Sequence, residues 1–240
     1  MTTFFRPLRK RILVVEGKEL LNMIAEGEHQ TQDFKFAVND SKKIARSLSA
    51  FANTDGGRLL LGVKDNGRIA GVESDEEYYM IEAAAKIHCK PQVPFETRKW
   101  EVEGKTVLEI IIPKSNKRPH RAPDKDGKPK AYVRVKDQNI MANRILLEVW
   151  QKEKEGSGGM LKIKYAESKL LSYLEIHGYI TFSRFCGMAR ISPRKAEKIL
   201  INLIHMKVLV MDITEKQIFY KMNPNPVYPE MTQQELPEDF

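Results

Sequence analysis

The amino-acid sequence predicts an α+β chain, a mixed-sheet domain followed by a smaller helical domain. Three observations carry this. Ser41 to Phe51 puts Ile44, Ala45, Leu48 and Phe51 on one helical face, and the apolar run Arg58 to Val63 that follows suits a buried strand. The stretch Glu155-Gly156-Ser157-Gly158-Gly159 is a flexible break in the pattern. Beyond it, three helical patterns precede two short strands. The expected division is 1–155 for the first domain, 156–160 for a linker, 161–222 for the second domain and 223–240 for a proline-bearing acidic tail.

In chain order, the first fifteen residues read as a basic arm with Arg6, Arg9, Lys10 and Arg11. Glu19 to Ala25 is a short helix with Leu20, Leu21 and Ile24 as its apolar side. Asp33 to Val38 alternates Phe34 and Phe36 against Asp33 and Lys35, the pattern of a half-buried strand with one aromatic and one charged face. Asn39, Asp40 or Ser41 can cap the helix that follows. Asn53 and Gly56-Gly57 end it, because those residue types tolerate positive φ. Lys64 to Arg68 holds an Asn-Gly hairpin turn, with Ile69 starting a return strand.

Asp75-Glu76-Glu77 opens another helix with acids in its first turn, where the helix dipole favours them, and Pro91 stops it. Phe95 to Val102 and Thr106 to Ile112 are strands joined by a turn at Glu103-Gly104-Lys105. Lys114 to Lys130 has no apolar period and reads as a long loop, with Pro119, Pro123 and Pro129 keeping it from folding on itself. Ala131 to Val135 returns as a strand with Arg134 pointing opposite to Val133 and Val135. A helix from about Ala142 to Lys154 closes the first domain.

Beyond the glycine-rich stretch, Tyr165 to His177 is a helix ended by Gly178. Phe182 to Met188 is a second, and Pro193 to Met206 a third, entered through Ser192 as cap and Pro193 at the first helical position. Val208 to Met211 and Gln217 to Tyr220 then make a two-stranded wing. This order resembles a winged helix-turn-helix.

The chain has 240 residues, 42% hydrophobic and 30% charged, enough for two small domains with real cores. Its net charge of +8 favours a polyanionic partner. Lys114 to Lys130 holds seven basic residues against two acids, and 161–222 holds eleven against five, so the excess gathers in two places. Cys89 and Cys186 are far apart, which gives no disulfide framework and suits a reducing cytoplasm. No apolar run reaches the length of a membrane span, and no Walker-type phosphate loop is present.

The patterns QDFKF and SLSAFANTDGGRLLLGVKDNGRIAGV, followed by AYVRVKDQNIMAN at 131–143, resemble the Schlafen-type AlbA-like domain over about residues 15 to 150. Bacterial versions are often fused to a helix-turn-helix and described as DNA-binding or transcriptional regulators. Taken with the cysteine usage, the lack of a membrane span and the winged helix, the expectation is a cytoplasmic nucleic-acid-binding protein, a DNA-binding transcription regulator, that prefers duplex DNA to RNA and touches no membrane. Pairing into a homodimer on two-fold sites fits a winged helix.

Arg190, Ser192, Arg194, Lys195 and Lys198 are the candidate DNA-contacting residues, at the start of the third helix of the second domain. Lys114, Lys117, Arg118, Arg121, Lys128 and Lys130 form a candidate nucleic-acid-binding loop. The alternative is an endoribonuclease acting on structured RNA. In Schlafen relatives that cleave RNA, three carboxylates hold a divalent metal, and Glu28, Asp33 and Asp65 match them by position, with Asp33 shorter than the usual glutamate. Hard Mg²⁺ or Mn²⁺ prefers such oxygens. No cofactor is expected otherwise.

Overall fold

The computed structural model describes residues 14–72, 75–156 and 163–225. The basic cluster before Val14, most of the glycine-rich stretch and the tail beyond Asn225 lie outside these residues. The structure divides into two compact units, one ending at Ala142 and the other starting at Asn143.

The first unit begins with β1 (Val14–Glu16), α1 (Lys18–Ala25), β2 (Gln32–Lys35), α2 (Ser41–Asn53) and β3 (Gly57–Leu61). It continues through α3 (Glu76–Ala83), which runs into a π-helical turn Ala84–His88, and then β4 (Glu96–Val102) and β5 (Lys105–Ile112). The unit ends with β6 (Arg121–Pro123), β7 (Pro129–Val135) and β8 (Gln138–Met141). The main sheet is mixed, in the order β1-β4-β5-β3-β2, with β1 parallel to β4 and β2 parallel to β3. A second sheet has the order β6-β7-β8.

Why β3 reads as unbroken leucine is plain from its two covered faces. Leu59 and Leu61 enter one core with α2, while Leu60 enters another with Leu20 and Met23 of α1. α2 lies between the main sheet and the β6-β7-β8 sheet, so it is buried nearly all round, from Ile44 and Ala45 through Phe51 to Asn53. Asp40 caps it, accepting the Lys42 N–H at 2.8 Å and the Lys43 N–H at 3.2 Å. The two glycines after it are required by close approach. A Cβ on Gly56 would lie 2.7 Å from the Ile112 carbonyl, and one on Gly57 would lie 2.6 Å from the Phe51 ring.

Several expectations are corrected here. The segment expected as a long loop pairs Arg121 with Ala131 and Pro123 with Pro129, a hairpin laid on α2. The prolines sit at the ends of short strands, where a missing N–H costs no ladder bond. Arg134 is buried rather than outward, because β7 is covered on both faces. Asp33 is 4% exposed and Phe36 52%, the reverse of the expected aromatic-in, charged-out pattern at those positions. The return strand at Ile69 is a single bridge to Val63, since Gly71 folds back onto Gly62 and the Val72 N–H bonds to the Thr106 carbonyl.

The second unit holds α4 (Arg144–Glu155), α5 (Tyr165–His177), β9 (Tyr179–Thr181), α6 (Phe182–Ala189), α7 (Pro193–His205), β10 (Leu209–Ile213) and β11 (Ile218–Met222). Ile145 and Val149 of α4 share a core with Leu170, Leu174, Phe185, Leu200 and Leu203. The helix expected to close the first domain therefore packs into the second. The expected two-stranded wing is a three-stranded antiparallel sheet, β10-β11-β9, because Tyr179, Ile180 and Thr181 pair with β11.

Candidate nucleic-acid interface

α7 is entered through a sharp turn. Arg190 takes a left-handed conformation, φ 51°, at the end of α6, and the Ile191 N–H reaches back to the Cys186 carbonyl at 3.2 Å. The Ser192 hydroxyl accepts the Lys195 N–H at 3.4 Å, and Pro193 occupies the first helical position. Ala196, Ile199, Leu200 and Leu203 then turn inward by helical period. The opposite face carries Arg194, Lys195 and Lys198, all exposed, with Arg190 and Ser192 exposed just before them.

Three cations elsewhere in this unit are paired with acids. Arg144 meets Glu197 at 3.7 Å, Lys207 meets Glu153 at 2.8 Å and Lys221 meets Asp212 at 2.5 Å. Arg190, Arg194, Lys195 and Lys198 form no ion pair among the described residues. Four cations and the positive end of a thirteen-residue helix thus share one open surface. Arg190 and Ser192 precede this helix, and Arg194, Lys195 and Lys198 lie in its first two turns.

The basic residues of 114–130 are not presented as one strip. Lys114 is paired with Asp55 at 3.6 Å, Arg118 is engaged, and Arg121 is half-buried in β6, where its backbone bridges to Lys90. Lys117 and Lys128 are exposed, Lys128 near the hairpin turn, and Lys130 is half-buried in β7.

The three matched carboxylates of the first unit divide two against one. The Glu28 Oε1 accepts the Phe34 N–H at 2.9 Å, and its carboxyl hydrogen-bonds Asp33. Burial first, and then that bond, hold the Glu28 carboxyl above the usual glutamate range. Asp33 is already compensated, with Lys35 Nζ at 2.8 Å and the buried Arg134 guanidinium at 3.4 Å. Asp65 is exposed in the turn after β3. Among the described residues no three His, Cys, Asp or Glu side chains gather as a set that could hold a metal ion. The three matched carboxylates do not fit a resident divalent metal, because the two that meet are held by each other and by two cations.

Arg134 is the residue that sequence reasoning missed here. Its guanidinium donates to the Gln32 carbonyl at 3.2 Å and to Asn139 Oδ1 at 3.2 Å, and it stacks 5.0 Å from the Phe51 ring. It anchors β2 against β7 and β8 and fixes Asp33 in place. No sequence signal separates it from an outward strand arginine. Cys89 is no hidden nucleophile, since burial pushes its thiol up to about 12.

Comparison with known proteins fits the first unit. Residues 28–143 match the family model described as Schlafen, AlbA_2. The matched segment is just under half of the chain and runs from Glu28, before β2, to Asn143, at the cap of α4. Two solved structures are similar. One is the DIP2311 protein from Corynebacterium diphtheriae, at 23% identity and a TM-score of 0.40, covering 55% of this chain and 29% of that one. The other is the N-terminal domain of a putative ATP-dependent DNA helicase RecG-related protein from Nitrosomonas europaea, at 20% identity and a TM-score of 0.38, covering 63% of this chain and 96% of that one. The chain thus spans less than a third of the Corynebacterium protein. No curated protein matches it. Among the described residues, no helix is long and apolar enough to cross a membrane.

Proposed function

We propose that this protein binds nucleic acid, that its second unit is a winged helix-turn-helix, and that α7 docks in the major groove of duplex DNA. The order helix, strand, helix, helix, strand, strand from α5 to β11 supports the winged-helix reading. The observation that carries the binding role is the unpaired basic face of α7, Arg190, Arg194, Lys195 and Lys198, set opposite its buried side. Phosphate oxygens would meet these cations and the helix N-terminus, which supplies affinity without sequence information. Ser192 and Arg194, at the start of α7, would reach base edges. The Schlafen, AlbA_2 match of the first unit is in keeping with a nucleic-acid partner. A cytoplasmic transcription regulator acting as a dimer on two-fold sites is the role this assembly suits best.

The deciding experiment is fluorescence anisotropy of the full chain with duplex DNA, single strands and tRNA. The reading expects duplex to bind most tightly and Arg194→Ala with Lys195→Ala to weaken it. Equal duplex binding by the double variant at low salt would remove α7 from the interface.

A further inference from the structure

We infer that the first unit carries a single-stranded nucleic-acid contact of its own, in which the exposed ring of Phe36 is a stacking platform for one base. Phe34 is 1% exposed in the core beneath α1, but Phe36, one step past the strand end, is 52% exposed. A single exposed apolar residue is ordinary on a surface. What sets this one apart is its framing.

The Lys64 ammonium sits 5.0 Å from the centroid of the Phe36 ring. That lysine opens the tight turn after β3, and the turn is pinned. The Gly67 N–H donates to the Lys64 carbonyl at 2.8 Å, and the Lys64 N–H donates to the Arg68 carbonyl at 3.0 Å. At the base of the same turn the Gly62 N–H donates to the Lys35 carbonyl at 2.8 Å, one residue before Phe36. Ring and cation are therefore held by the ends of two paired parallel strands, not by loose loops. Arg68 is exposed on the same turn, and neither it nor Lys64 forms an ion pair among the described residues.

An aromatic face with adjoining cations is the chemistry that takes an unstacked base and its phosphate. A duplex offers no free base face, so the site selects single strands. Asp65 lies between the two cations and leaves the turn with an excess of one positive charge. Stacking therefore dominates over phosphate attraction, and binding here should depend on salt far less than duplex binding through α7. The inference stands apart from the α7 reading, because different residues in a different unit carry it.

The test uses the full chain with Phe36→Ala and Phe36→Trp, an oligo(dT) strand, an abasic strand of the same length, and duplex DNA. Phe36→Ala should lose about tenfold in affinity for oligo(dT), the scale of one stacked base, and leave duplex affinity unchanged. Phe36→Trp should bind at least as well as the parent, with its added indole fluorescence quenched on oligo(dT) and unquenched on the abasic strand. Equal binding of the two single strands by the parent, or oligo(dT) binding untouched by Phe36→Ala, overturns the proposal. Thermal melts of both variants, expected to match the parent at so exposed a position, separate a lost contact from a lost fold.

Discussion

Asn53 grips the backbone of His120 at both its N–H and its carbonyl. Its Oδ1 accepts the His120 N–H at 2.8 Å, while its Nδ2 donates to the His120 carbonyl at 2.9 Å. The same Nδ2 reaches the Tyr132 carbonyl at 2.9 Å. One buried side chain at the end of α2 thus stands in for a strand and holds the start of the β6–β7 hairpin. Truncation leaves a buried N–H and buried carbonyls with no partner or fewer partners. Each orphaned group costs about 1–3 kcal/mol, so Asn53→Ala should lose about 3 kcal/mol in urea unfolding, with the slope unchanged.

Arg134 and Asp33 make the second prediction. Their side chains are 1% and 5% exposed. Removing one member of so deep a pair leaves an uncompensated charge, typically about 3–5 kcal/mol. Arg134→Met should approach that cost, moderated because Lys35 still neutralises Asp33. Arg134→Met with Asp33→Asn should recover part of it, and the double-mutant cycle reads the coupling directly. A purely additive cycle would make the pair incidental.

These two residues show what the sequence made legible and what it did not. Asn53 sits in AFANTDGG, where an asparagine before two glycines signals a helix end. The helical faces of α2, α5 and α7, and the β4–β5 hairpin, follow from period alone. Arg134 carries no such mark, because strand alternation cannot tell which face a second sheet will cover. β6 and β8 are short and polar, and β1 is three residues long, so pairing rather than pattern creates them. The glycine-rich stretch misplaced α4 because a flexible segment marks freedom of the chain, not which core the preceding helix joins. In the same way, the family resemblance pointed to Glu28 and Asp33 together but could not foresee that Asp33 would be taken up by Lys35 and Arg134.

Glu28 gives a pH-dependent prediction. Its carboxyl is held above the usual value by burial and by the bond to Asp33, so the folded protein binds this proton more tightly than the unfolded chain. That stabilisation is complete below the unfolded glutamate value and is lost as pH rises through the raised folded value. Above that value the ionised Glu28 carboxylate is a liability. Glu28→Gln keeps an acceptor for the Phe34 N–H and offers Asp33 an N–H donor. The variant should unfold at higher urea than the parent at neutral pH, with the difference vanishing below about pH 4. A difference that persists in acid would place the effect in packing instead of ionisation.

The α7 surface is best read through salt. Each phosphate neutralised on a duplex contributes a slope of about −0.9 in log affinity against log salt. Arg194 and Lys195 are exposed and unpaired, so removing them should take away whole phosphate contacts and disturb no internal ion pair. Arg194→Ala with Lys195→Ala should therefore flatten the slope by about 1.8 as well as lower affinity. The loss should be similar across duplex sequences where these side chains touch only backbone. If Arg194 also reaches a base, its single variant should flatten the slope by less than one phosphate and relax preference at one position, by about 1–3 kcal/mol. Comparing Arg194→Ala with Lys195→Ala on the same set of duplexes thus assigns each cation to backbone or base. An unchanged slope in the double variant would mean that neither meets a phosphate, and that the basic face of α7 is only a solvated surface.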